Sequence, residues 1–324
     1  MSTVKILRKA AGQIQANAAY EDNAMQSLPL TGGIVMQEFD MIEDESISGE
    51  GFRDIPQQGG RHVTAGGIPF QFDKTASQVI LEAAFGNVTS KVFTLGDNAK
   101  KMSICALDSV NANMYANMYL NRLAFASRAN EKLMLTADFI GKTAQDRQVV
   151  GNFPSVTAFG LPFVHQEFGG ASGFIRIGDA ANALASGDNQ VIEELTWEVS
   201  NAFGEDFANQ NDVADARGIL TPLFGQGGWP EVSGSFVVAR HDSDQWFSWA
   251  EDHTPLQMSA YCYKAAAATV LIEIPRFVIK AEPTDDDTTK INVTMLIGRN
   301  GTGTDYTNTN MSFTSPIRVT IVDA

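Results

Sequence analysis

Short sequence markers recur in the two halves of this chain, in the same order and at nearly constant spacing. Gly59-Gly60 leads to Val63-Thr64 and Gly66, as Gly227-Gly228 leads to Val232-Ser233-Gly234. Met102-Ser103 and Cys105 are echoed by Met258-Ser259 and Cys262, and Arg122 opens an apolar run as Arg276 does. Phe139-Ile140-Gly141-Lys142 returns as Leu296-Ile297-Gly298-Arg299. By subtraction the separations are 168–169, then 156–157, 154 and 157. Each match is weak alone, but order and spacing together predict a duplicated fold.

With 324 residues, each half has room for its own core. Apolar residues at 44% and charged residues at 19% indicate a globular chain. Apolar runs are broken well short of a membrane span, so no membrane partner is expected. The N-terminus lacks the apolar stretch of a secretory signal, and the expectation is a protein made in a cytoplasm. The formal net charge is −15. That disfavours a protein that grips nucleic acid through phosphates, which needs clustered Lys and Arg. It suits a surface that DNA slides past. The two cysteines read as buried thiols at matching sites, too far apart for a disulfide. No CxxC spacing suggests zinc or redox work.

Residues 1–34 read as a polar, loosely packed arm, 35–41 as a first strand and 42–62 as a long acidic, Gly-rich loop. Period-two alternation follows at Ile68, Phe70 and Phe72, and again at Phe236 and Val238. Each alternating run precedes a helix start, Thr75 with Gln78 and Asp242 with Gln245, so helices are expected near 75–85 and 243–252. Long strands are expected near 102–108, 114–127 and 131–142, then 256–264, 268–281 and 289–299. The first half carries about ten extra residues near 87–101, read as an added loop. An opening strand near 172–178 and a closing strand through Ile317, Val319 and Ile321 complete the pattern. The fold class is mainly β: two tandem domains of long antiparallel strands, each with one flanking helix. The divisions are 1–34 (arm), 35–150 (first domain), 151–190 (linker and opening strand) and 191–324 (second domain).

Catalytic and ligand-binding signatures are missing. His62, His165, His241 and His253 are scattered, with no HExxH motif, and His241 beside Asp242 and Asp244 reads as a helix start. No Gly-x-Ser-x-Gly elbow occurs. Gly301-Thr302-Gly303-Thr304 leads into coil rather than a helix, unlike a phosphate loop. Asp285-Asp286-Asp287 lacks the spacing of a calcium loop and reads as a hairpin tip. Trp229, Trp246, Trp249 and Phe247 read as core, with a carbohydrate-binding patch as the alternative. No catalytic, cofactor-binding or metal residue is assigned, and no enzyme activity is expected.

The arrangement resembles the tail tube proteins of long-tailed phages, in the subgroup with two tandem tube domains. The resembling segments are Leu195-Thr196-Trp197-Glu198-Val199-Ser200-Asn201 leading to Gly227-Gly228 and Val232-Ser233-Gly234-Ser235-Phe236. They continue through the acidic-aromatic helix 242–252, Glu273-Ile274-Pro275-Arg276-Phe277 and the final strand from Ile317 to Val322. The first half matches more loosely, from Asp44-Glu45-Ser46 to Gly66 and then over 78–86 and 119–142. The resemblance implies that the two domains are β-sandwich or barrel tube domains of a structural virion protein whose rings stack into a hollow tail tube for DNA ejection. Its partners would be itself, as homotrimeric pseudo-hexameric rings, and other tail proteins: tape measure, tail terminator and baseplate or distal tail. DNA would pass through the lumen without specific binding, along an electronegative wall. Segments 42–62 and 201–228 would order on assembly. Another virion part, a capsid-decoration or baseplate component, is the alternative.

Overall fold

Strand after strand in this chain alternates buried and exposed side chains, the pattern of a sheet with one face in a core and one in solvent. The computed structural model describes residues 9–16, 20–31, 36–42, 57–96, 100–107, 111–129, 131–149, 153–158, 174–201, 207–208, 221–222, 230–239, 243–264, 268–284, 287–297, 311 and 313–323. The first half contains β1 (Lys9–Ile14), β2 (Gln26–Leu28), β3 (Met36–Ile42), β4 (Gln57–Gln71), α1 (Ala76–Phe85), β5 (Gly86–Thr89), β6 (Val92–Leu95), β7 (Met102–Leu107), β8 (Asn111–Arg128) and β9 (Met134–Val149). The second contains β10 (Phe174–Asp179), β11 (Asn189–Gln190), β12 (Ile192–Ser200), β13 (Phe207–Ala208), β14 (Thr221–Pro222), β15 (Glu231–Val238), α2 (Gln245–Glu251), β16 (Leu256–Lys264), β17 (Ala268–Thr284), β18 (Asp287–Ile297) and β19 (Arg318–Asp323). The fold is mainly β, and its sheet does not close into a barrel within one chain.

Strand order repeats. The first half runs β2-β1-β7-β8-β9-β4-β3, and the second runs β11-β10-β16-β17-β18-β15-β12, each neighbour antiparallel. A β-bulge repeats as well. Met102 and Ile104 of β7 face Met118 and Tyr115 of β8, and Leu256 and Met258 of β16 face Phe277 and Ile274 of β17. Bulges fix register, so these pairs align the two series residue by residue.

The helices form where the sequence places them, with different caps. Thr75 makes no side-chain cap; Asp73 takes that role, its carboxylate accepting from Ser77 N–H (3.1 Å) and Thr75 N–H (3.2 Å). Asp242 lies outside the described residues, and α2 starts after Asp244 without a side-chain cap. Trp246 is buried and packs edge-on against Phe236 and Trp249, which leaves little of the aromatic patch a carbohydrate site would need. Trp229 lies outside the described residues.

Two segments differ from expectation. The lead-in is not loosely packed: β1 and β2 are hydrogen-bonded into the sheet, and Ala10, Ala11, Met25 and Leu28 are buried. Small residues at 10–12 let β1 lie close to β7, where a side chain at Gly12 would press on Met102 and Leu28. The extra stretch near 87–101 is not a plain loop either. Its start is the β5–β6 hairpin, and β6 pairs with β19, clasping the first half to the end of the second. α2 has no such hairpin after it, because only Asp252 to Pro255 separate it from β16.

Cys105 and Cys262 are free and buried, one in β7 and one in β16. Burial pushes the Cys105 thiol up to about 11 and the Cys262 thiol up to about 12. Neither forms a reactive thiolate near neutral pH. Native protein at pH 8 is therefore expected to resist a thiol reagent for as long as it stays folded, with both cysteines labelled in denaturant. Rapid labelling of either in the native state would show that its strand is open.

Candidate functional site

The feature that distinguishes this sheet is the joint between its halves. Along one side of β8 runs β9; along the other, β7 pairs only with the first part. Past a bulge between Leu120 and Arg122, β12 takes the place of β7, in register from Arg122↔Ser200 to Arg128↔Glu194. A strand of the second half thus continues the sheet of the first. Asn201 secures the changeover. Its backbone N–H donates to Asn121 (2.8 Å), and its side-chain amide donates to the carbonyls of Leu120 (2.8 Å) and Ala84 (3.1 Å). The bulge and the last turn of α1 would otherwise leave such carbonyls without partners.

One face of the joint is core. Leu123, Phe125, Leu195, Trp197, Val199 and Phe236 are all buried. Trp197 lies flat on Phe125, with ring centroids 5.2 Å apart and planes within 9°, and meets Phe85 of α1 edge-on at 6.0 Å. Three elements from two halves thus share one aromatic cluster.

The other face is polar and built from small residues. Ala124, Ala126, Thr196, Ser233 and Ser235 line a shallow groove, and the Thr196 and Ser235 hydroxyls lie 2.8 Å apart. Gly234, between the two serines, faces the core instead: a Cβ there would run into the buried Met295 side chain and sit 2.9 Å from the Thr196 carbonyl oxygen. Arg122 reaches Glu198 across the joint at 2.6 Å and Asp138 on β9 at 3.3 Å. The hydrogen bond it donates to Glu198 is the main reason the guanidinium is held charged even more firmly than usual; partial burial opposes it, and Asp138 adds to it. Asp138 also accepts the backbone N–H of Gly67, which a left-handed φ of 65° at the β4 bulge turns toward it. Arg128 pairs with Glu194 at 3.0 Å, and Lys290 with Glu193 at 2.8 Å. These half-exposed pairs contribute little stability each. Their effect is on charge: Arg122, Arg128 and Lys290 each already meet a carboxylate.

No catalytic constellation forms among the described residues. His253 is exposed at the end of α2, and the side chain of His62 is outside the described set, as are His165 and His241. Gly301 to Thr304 and Asp285-Asp286 also lie outside it, as does most of 42–62 and 201–228. No group of three or more His, Cys, Asp or Glu among the described residues is placed to hold a metal ion. No described helix is long and apolar enough to cross a membrane. The sequence named Leu195 to Asn201 as a segment but not its role. The alternation at 195, 197 and 199 was the available signal for its two faces.

A family model described as phage tail tube protein matches residues 11–303. Comparison with curated proteins found no match.

Proposed function

Because the chain belongs to the phage tail tube protein family, we propose that it polymerises into stacked rings of three copies, forming a hollow tube through which phage DNA passes. Membership makes it a structural component of the virion, a major tail protein. The finer reading is carried by one observation, the β8–β12 joint between two halves of like strand order. Two tandem units, one holding β1 to β9 and the other β10 to β19, then stand side by side within one chain. Repeating that joint between chains closes a ring of six units from three chains. The helices pack on the core side of the sheet, so the polar face with its small residues is the one available to a channel. Contacts with tape measure, tail terminator and distal tail proteins follow from the same role. No step of it calls for catalysis or a cofactor.

The count of chains per ring tests this reading. Three chains of 35.0 kDa give a ring of about 105 kDa by multiplication, measurable by native mass spectrometry, and threefold symmetry in a tube reconstruction. Six copies per ring would overturn the tandem reading. Protein that never stacks into tubes would favour a decoration or baseplate role.

A further inference from the structure

The joint inside the chain also specifies the joint between chains, residue by residue. Resting on the ring reading above, we infer that the free edge of β17 pairs with the free edge of β3 in a second copy, with Lys280 opposite residue 38.

Both edges are open. β17 pairs with β16 only as far as Phe277, so Val278 to Pro283 have β18 on one side and no described strand on the other. β3 pairs with β4 alone among the described residues. These are the counterparts of the two strands joined within the chain. The repeated bulge equates Tyr115 with Ile274 and Met118 with Phe277. Met118 faces Gly141 and Phe277 faces Ile297, which equates β9 with β18 at a separation of 156. Asp138, opposite Arg122, then corresponds to Thr294, opposite Lys280. Lys280 is the counterpart of Arg122.

The second strand follows in the same way. Phe139 faces Ala65, and Met295 faces Gly234, so Val63 corresponds to Val232. Gln37 faces Val63 and Val199 faces Val232; Glu38 and Ser200 are the next positions along. Since Arg122 lies opposite Ser200, Lys280 falls opposite Glu38 of the second copy.

The chemistry at this position fits a partner. Arg122 has Asp138 beside it, but Lys280 has Thr294 there, is exposed and has no ion pair among the described residues. The sequence of β3 holds Glu38 and Asp40. A cation without a carboxylate among the described residues of its own chain meets an acidic strand supplied by the next one. The inter-chain joint also lacks a β6–β19 clasp, because α2 is not followed by a hairpin. It is the less heavily held of the two joints, and its charges set the register.

Residues directly opposite on antiparallel strands lie within reach of a disulfide. Oxidising assembled Glu38→Cys/Lys280→Cys protein is expected to give covalent dimers and trimers on a denaturing gel, with neither single variant doing so. Lys280→Glu is expected to weaken ring formation at low salt at least tenfold, and Glu38→Lys in the same chain to restore it. Intact rings that cross-link through residue 40 rather than 38, or not at all, overturn this register while leaving the ring standing. Rings that never form under any condition overturn the ring reading and this inference with it.

Discussion

Trp197→Ala is expected to lower the free energy of unfolding by about 3–5 kcal/mol, the range for deleting a large buried aromatic. Trp197 is only 1% exposed and packs on Phe125 and Phe85, so truncation leaves a cavity bounded by rings from the other half of the chain. The loss therefore belongs to both halves. A single cooperative transition should move to lower denaturant, with α1 losing protection in hydrogen exchange although Trp197 is on β12. Thr196→Ala, one residue away on the polar face, is expected to change stability by less than about 1 kcal/mol. Wild-type stability in Trp197→Ala would place that ring outside the core and remove the main apolar link across the joint.

The residue pattern made the elements legible and the registers mostly not. Alternation located the end of β4 and β15, and helix signals located α1 and α2, because local spacing determines which face is buried. Within the first marker set Val63 and Val232 occupy corresponding positions, whereas Gly234 corresponds to Ala65 rather than Gly66. Other markers fall on corresponding strands but out of step. The counterpart of Met102 is Leu256 rather than Met258, and that of Arg122 is Lys280 rather than Arg276. Those two offsets, two and four residues, are even and keep each face on its counterpart, but Phe139 corresponds to Met295 and Cys105 to Ser259, odd offsets of one and three that do not. The bulge at Leu120/Arg122 has no counterpart in β17 and shifts the later part of β8 by one residue. Nothing in the local pattern announces such an insertion.

Long-range pairings were hidden for a different reason. β1 joins β7 across some ninety residues of chain, and β6 joins β19 across more than two hundred. β1 and β6 are only six and four residues long, so neither carries much signal of its own. Lys9 to Ile14 contains two alanines and a glycine, which read as a polar arm although that composition is what close packing against β7 requires. The candidate site suffered most. Arg122, Asp138 and Glu198 are brought together by a joint between halves, and no spacing along the chain predicts it.

That cluster leads to the second large effect. Net charge suggested an acidic channel wall, yet on the polar face the acids near the joint are largely engaged in ion pairs. On the tube reading, what would matter to DNA in the channel is then whether any cation is left uncovered. In a ring of three chains, the pair Asp138→Asn and Glu198→Gln removes two negative charges per chain, six per ring. It leaves Arg122 charged without either carboxylate. Both replacements keep an oxygen, so the Gly67 N–H retains an acceptor and the strand pairing is undisturbed. Stacked rings would repeat the bare guanidinium along the tube, and phosphate contacts accumulate with each one. Wild-type tubes are expected to retain no short duplex DNA in low-salt buffer. Double-variant tubes should retain it, and release it as salt rises and screening shortens to about 8–10 Å. Adding Arg122→Gln to the double variant should abolish retention, tying the effect to this side chain. Equal retention by wild-type and double-variant tubes would show that the wall binds DNA by other means, and that the carboxylates around Arg122 serve the joint rather than the passage.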